Sequence, residues 1–243
     1  MGSKMKNDNV LWALILGISI IISAFILSYT FIRIRSLDNT LTVTGSARKR
    51  VTSDIVKWVG VFTRTVPANS LNKGYQQMSR DLNLVLEFLK KNGIDTNTVI
   101  ISPVYLEQPW LYSDRQYSRD SILRQTVEVQ SNDIRKITEL AKNFQELTDN
   151  GVAFSTQSLE YYYSKLPELR INLLSEAMQD AKNRAEKIAE STGQKVGPIR
   201  SVHMGAVQVL APNSTEISDY GTYNTSTIEK EVMVAVVATF YLK

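Results

Sequence analysis

The chain has 243 residues, 43% apolar and 21% charged, with one histidine and no cysteine. This is the composition of a folded protein; it rules out a disulfide framework and leaves any zinc site to be completed by carboxylates alone. Of the net charge of +4, residues 1–35 hold +3 (Lys4, Lys6, Arg33 and Arg35 against Asp8), and the other 24 basic and 23 acidic residues leave no excess for a nucleic-acid backbone.

The first element is "VLWALILGISIIISAFILSYTFI", Val10 to Ile32, without a charge. As a helix it would reach ~34 Å, enough for a bilayer core of ~30 Å. A buried core helix is rarely apolar all round at this length, and a cleaved signal peptide has a shorter apolar core and a small-residue cleavage site. The run instead ends in Tyr29, Phe31 and two arginines. It therefore reads as an uncleaved single-pass anchor in the lipid bilayer, with 1–9 as the N-terminal flank, 10–32 as the transmembrane helix and 33–40 as a short linker. Lys4 and Lys6 face Arg33 and Arg35 across it, so the flanking charges leave its orientation open. "MGSKMK" fails the myristoylation pattern, because Lys6 stands where serine or threonine is needed.

Residues 41–243 read as alternating strands and helices. Strands are expected over 41–48 and 54–66, rich in Val, Ile, Thr and aromatics. A helix follows with Leu71, Tyr75, Met78, Leu82, Val85 and Leu89 on one face, capped by Asn69 or Ser70 and closed by Gly93. Strands come next at 98–107 and 121–130. A second helix starts at Asn132–Asp133, with Ile134, Ile137, Leu140, Ala141, Phe144 and Leu147 inward, and ends before Gly151. After the strand "VAFSTQSLEYYYS", a third helix carries Ala177, Ala181, Ala185 and Ala189 at every fourth position, a shallow stripe that permits close approach of a sheet or another helix. Asp180 and Arg184 are spaced as an i,i+4 pair on its outer face. Gly193 closes that helix, and the strands "KVGPIRSVHMGAVQV" and "EKEVMVAVVATFYLK" complete the body.

Helix, glycine and strand thus recur three times, which predicts a layered α+β body with three amphipathic helices packed on its sheets. No chemistry accompanies the pattern. His203 lies alone in an apolar strand, and there is no G-x-S-x-G elbow, P-loop or G-x-G-x-x-G after a strand. The expectation is a protein that is not an enzyme, with no catalytic, cofactor-binding or metal residues and no cofactor. Two irregular stretches stand out. Residues 107–120 carry Trp110, Tyr112 and Tyr117, and residues 212–230 carry Tyr220 and Tyr223. Long loops with aromatics suit a contact surface, so these five are the candidate interface; the alternative is that the rings pack on their own domain.

"LTVTGSARKRVTSDIVKWVGV", "LEFLKKNGIDTNTVIISPVY", "TVEVQSNDIRKITELAKNFQELTDNGV" and, most specifically, "EAMQDAKNRAEKIAESTGQKVGPI" follow one another in the order of a known family. The chain resembles the SIMPL-domain family of bacterial envelope proteins, which includes periplasmic immunogenic proteins and a protein linked to oxidative-stress defence. It departs from that pattern at Ala47, Ser53-Asp54 and Ser118-Arg119. The resemblance implies an extracytoplasmic domain over 41–243, in the periplasm or outside the cell, held at the inner membrane with 1–9 as a cytoplasmic N-terminus. It also implies assembly into homo-oligomeric, ring- or channel-like scaffolds, with a role in envelope stress resistance, and it carries over no catalytic residue. The competing expectation is an accessory module that binds a ligand or an envelope protein partner; neither reading involves nucleic acid.

Overall fold

The computed structural model describes residues 2–36, 39–107 and 120–243. Helix α1 (Gly2–Ser36) contains the apolar run, and its window Leu14–Ile32 has a mean hydropathy of 2.3 with none of it buried. Long strands β1 (Thr40–Thr52) and β2 (Ile55–Pro67) follow, then α2 (Leu71–Lys91), the short β3 (Ile100–Ile101) and β4 (Tyr105–Glu107), and the long β5 (Asp120–Ser131). Helices α3 (Ile134–Lys142) and α4 (Gln145–Asp149) precede β6 (Ala153–Tyr162), and α5 (Leu166–Ser191) precedes β7 (Val196–Met204). The chain closes with β8 (Gln208–Leu210), β9 (Thr222–Tyr223) and β10 (Glu229–Leu242). The result is the expected α+β architecture, with two sheets. Two units share the chain: Met1–Ala47, Leu173–Gly205 and Val234–Lys243 form one, Arg48–Asn172 and Ala206–Met233 the other.

In the larger unit, the sheet order is β3-β5-β2-β6, with β4 also on β5. Central β2 pairs antiparallel with β5 from Val56 to Pro67 and with β6 from Ile55 to Thr63. Its period of two sends Val56, Trp58, Phe62 and Val66 into the core, where they meet Met78, Val85 and Leu89 of α2, Ile137 of α3 and Leu147 of α4. Phe154 packs edge-on against both Trp58 and Phe144, with centroids 5.9 and 5.3 Å away. At Gly60 the β2–β6 register slips, and an added Cβ would lie 2.2 Å from the Phe154 ring. Below this core, Arg64 forks onto Asp81 at 2.6 and 2.7 Å and gives a third hydrogen bond to the Gly151 carbonyl. Asp81 is 3% exposed, and its hydrogen bonds hold the Arg64 guanidinium above its usual range.

In the smaller unit, β10 lies between β1 and β7. Residues Leu173–Ser191 of α5 cover these strands through the alanine stripe: Ala177, Ala181 and Ala185 are fully buried against Val43, Val236, Ala238 and Phe240. The stripe is shallow, and β1 matches it with Gly45, whose missing side chain lets the two backbones approach.

All three closing glycines, Gly93, Gly151 and Gly193, adopt the left-handed conformation at φ +69, +78 and +72, where a Cβ would be strained. Several boundaries differ from expectation. Ser70 caps nothing: a 3-10 turn at Ala68–Ser70 precedes α2, and the Ser70 hydroxyl donates to Asn69 Oδ1 instead. The strand expected at 98–107 is broken between Ile101 and Tyr105, where Pro103 can donate nothing to a ladder. The second helix is two, because Asn143 leaves helical geometry (φ −119, ψ 68) and so places Phe144 against Phe154. It starts where expected, and Asp133 caps it by accepting from the Lys136 amide. The strand expected at 195–209 parts at Gly205 into β7 and β8. Asp180 pairs with Arg184 at 2.9 Å but also accepts from the Ser46 amide, so it ties α5 to β1 rather than only facing solvent.

Candidate functional site

Strands β2, β5 and β6 present a polar face on the side away from α2 and α3. Lys57 stands there between Glu128 of β5 at 3.9 Å and Glu160 of β6 at 3.5 Å. The Tyr162 hydroxyl donates to Glu160, a bond that holds the Glu160 carboxyl below its usual range and pushes Tyr162 up to about 12. The Tyr162 ring lies 5.8 Å from that of Tyr223, tilted by 37°. Tyr223 is placed by β9, which pairs parallel with β8, and its hydroxyl accepts from the Tyr163 amide at 3.0 Å.

Beneath Tyr223 lies Lys230, which is fully buried. Its ammonium donates to the carbonyls of Asn224 and Thr227, the latter at 2.8 Å, and sits 5.6 Å from the Tyr223 centroid. Those carbonyls are fixed by an Asx turn in which Asn224 Oδ1 accepts from the amides and hydroxyls of Ser226 and Thr227. The turn is pinned to its surroundings by Asn224 N to Val209 O, Tyr161 N to Thr225 O and Ser53 N to Ile228 O. Buried lysine, turn and ring form one clamp on residues 222–230, and burial pushes Lys230 down to about 8.

Of the candidate interface, Trp110, Tyr112 and Tyr117 lie outside the described residues. Tyr220 is 98% exposed beside Gly221, which adopts φ +88, and touches no other ring among the described residues. Tyr223 is 37% exposed, with both its ring and its hydroxyl engaged inside its own unit, so the structure does not bring Tyr220 and Tyr223 together as one patch. The loop 212–230 is thus ordered by β9 and the Asx turn rather than irregular throughout. His203 sits on β7 opposite Val237 and is exposed. Among the described residues, no three His, Asp or Glu side chains converge as metal ligands. Lys230 escaped the sequence reading although its signal was present: it is in phase with Val232, Val234, Val236, Ala238 and Phe240, all buried on β10.

The clamp makes a pH prediction. Between the folded value near 8 and the unfolded value of ~10.4, the unfolded chain holds the Lys230 proton and the native chain has released it, so stability rises with pH. Tyr162 acts oppositely and later: an unfolded tyrosine ionises near ~10 while the native one holds its proton to about 12, so its contribution is lost as pH rises through that window. Urea midpoints of the full chain in detergent should therefore rise from pH 8 to 10, by about 2 kcal/mol in stability, and fall beyond. Lys230→Met should abolish the rise and keep the fall; a wild type flat between pH 8 and 10 would contradict the clamp.

No curated protein matches the chain. The family model of SIMPL, described as "Protein of unknown function (DUF541)", matches residues 41–240, almost the whole body after the apolar helix. With this match over both units, their paired strands and the alanine-striped helix, the chain belongs to the SIMPL family.

Proposed function

We propose that this protein is a membrane-anchored SIMPL module whose body works outside the cytoplasm, assembled from copies of itself into a scaffold of the cell envelope. Its role there is mechanical and organisational, in line with envelope stress resistance, and it is not an enzyme. The observation that carries this reading is α1: Leu14–Ile32 is long and apolar enough to cross a membrane, and none of it is buried by the protein's own body. An anchor and a signal sequence share that length and composition, and the aromatic and arginine residues that end the run favour the anchor. The body supports a non-catalytic role, since its buried and paired charges are spent on holding strands and turns together: Arg64 on Asp81, Lys57 on Glu128 and Glu160, Lys230 on its turn. Self-association is supported by confinement to two dimensions, which raises the effective concentration of anchored copies, and by exposed apolar groups on β7, where Ile199, Val202 and Met204 are half exposed.

Placement is tested by protease added to intact spheroplasts. The body after residue 36 should be digested while a fragment holding the apolar helix stays with the membrane. Complete protection of the body would overturn the orientation, and release of an intact body without protease would show that α1 is a cleaved signal.

A further inference from the structure

Strand β1 is an edge strand that pairs only with β10 among the described residues. Its far end carries three cations in a row, Arg48, Lys49 and Arg50. Charges on an edge strand block pairing with other chains, which would explain their presence without any ligand. Their surroundings go further. The loop after β8 returns to β1, and Arg50 Nη2 donates to Asn213 Oδ1 at 2.8 Å. Asn213 holds a left-handed backbone conformation, φ 62, to make this turn. Between loop and strand lies an open cleft of about 480 Å3, lined by Arg48, Lys49, Arg50, Asn213, Ser214, Thr215 and Glu231.

Glu231 is the one acidic group in the lining, and its side chain is 12% exposed. It takes one contact from each arginine, Arg48 Nη1 at 3.2 Å and Arg50 Nε at 3.3 Å. A carboxylate used in this way orients both guanidiniums and neutralises one of them. Each guanidinium has five donors, so most of the N–H groups remain unused, and the arginine side chains stay 65% and 63% exposed. Lys49 has no ion pair among the described residues, and Ser214 and Thr215 line the same wall. Arg48 and Arg50, two apart on the strand, share one face with Glu231, and Lys49 between them adds its charge from the strand's other face. Three cations and one carboxylate thus leave a local positive surplus in a body that is close to neutral. Two arginines at i and i+2 of a strand are ~6.6 Å apart, a span that a tetrahedral oxyanion can bridge, and their forks match its oxygens.

We infer that the Arg48–Lys49–Arg50 cleft binds a phosphate dianion, either the free ion or the phosphate of a monoester. Glu231 positions the two guanidiniums, Lys49 adds to the local positive potential from the neighbouring strand position, and Asn213 holds the loop against Arg50. This site is separate from the scaffold reading and does not rest on it.

The test is isothermal titration of the full chain in a non-ionic detergent, at an ionic strength of about 0.02 M where screening is weak. Inorganic phosphate and glycerol 3-phosphate are the probes. Saturable binding of one or both is expected, weakened about tenfold by Arg50→Gln or Arg48→Gln, and less by Lys49→Gln, which breaks no ion pair and so leaves the fold untouched. Lys187→Gln, on the exposed face of α5, should bind like the wild type. Tighter binding of glycerol 3-phosphate would identify an esterified phosphate such as a lipid headgroup, and tighter binding of inorganic phosphate the free ion. No saturable binding by the wild type, or equal affinity in the wild type and all three cleft variants, would overturn the proposal and leave the cations as guards of the β1 edge.

Discussion

Gly45→Val should unfold the smaller unit or destabilise it by about 3 kcal/mol or more, the largest effect expected of a single added side chain here. A Cβ at position 45 would lie 2.2 Å from the Ala177 carbonyl oxygen and 2.4 Å from the Ala181 amide nitrogen. Both are backbone atoms of α5, so no rotamer change relieves the clash; the helix itself must move off β1. That movement would also break the hydrogen bond from the Ser46 amide to Asp180 and open the contact of Val43 with the alanine stripe. The reciprocal change, Ala181→Leu or Ala185→Leu, adds flexible side-chain atoms and should cost about 1–3 kcal/mol. Lys182→Ala, on the outer face, should stay within about 0.5 kcal/mol. Urea denaturation of each variant, followed by far-UV circular dichroism, measures the series. Equal small effects at positions 45, 181 and 182 would show that the stripe is not packed against β1.

The second large effect belongs to Arg64. Arg64→Leu leaves the Asp81 carboxylate, 4% exposed, without its bidentate partner, and takes a donor from the Gly151 carbonyl. An unpaired buried charge of this kind costs about 3–5 kcal/mol; the partial exposure of Arg64, 30%, lets water reach part of the site and sets the expectation at the lower end. The double variant Arg64→Leu/Asp81→Leu should recover most of that loss, because two apolar groups of similar volume need no partner. Urea midpoints of both variants decide the point: a double variant no more stable than Arg64→Leu would show that the site needs the ion pair itself.

The same residues show what could be read from the sequence. The α+β class, the three left-handed glycines and the alanine stripe are local patterns, set by helical periodicity and by the one residue that tolerates positive φ, and each is in the structure where the pattern puts it. What escaped depends on which strands meet. Residues of β1 and β10 belong to both units, yet each strand is a single unbroken run in which nothing marks the division. The Arg64–Asp81 fork joins β2 to α2 across 17 positions, and the Asp180–Ser46 bond spans 134. Neither spacing has a local signature. Lys230 was in phase with its buried neighbours, but a lysine amid valines reads as the exposed member of a strand until the two carbonyls that receive it are known. Ser70 had the right chemistry for a cap and lost the role to a 3-10 turn that begins earlier. Of the candidate interface, Tyr220 and Tyr223 look alike in sequence; the Tyr162 ring, the Tyr163 amide and the buried Lys230 separate the anchored tyrosine from the exposed one.

The central claim is that anchored copies of this chain build an assembly, and its most direct test is the mass of the full-length protein extracted in mild detergent. Size-exclusion chromatography with multi-angle light scattering, corrected for bound detergent, gives the number of 27.4 kDa chains per particle. The account predicts a discrete particle of many copies that persists on dilution. A clean monomer at every concentration would contradict it and would favour an accessory module that serves another membrane complex.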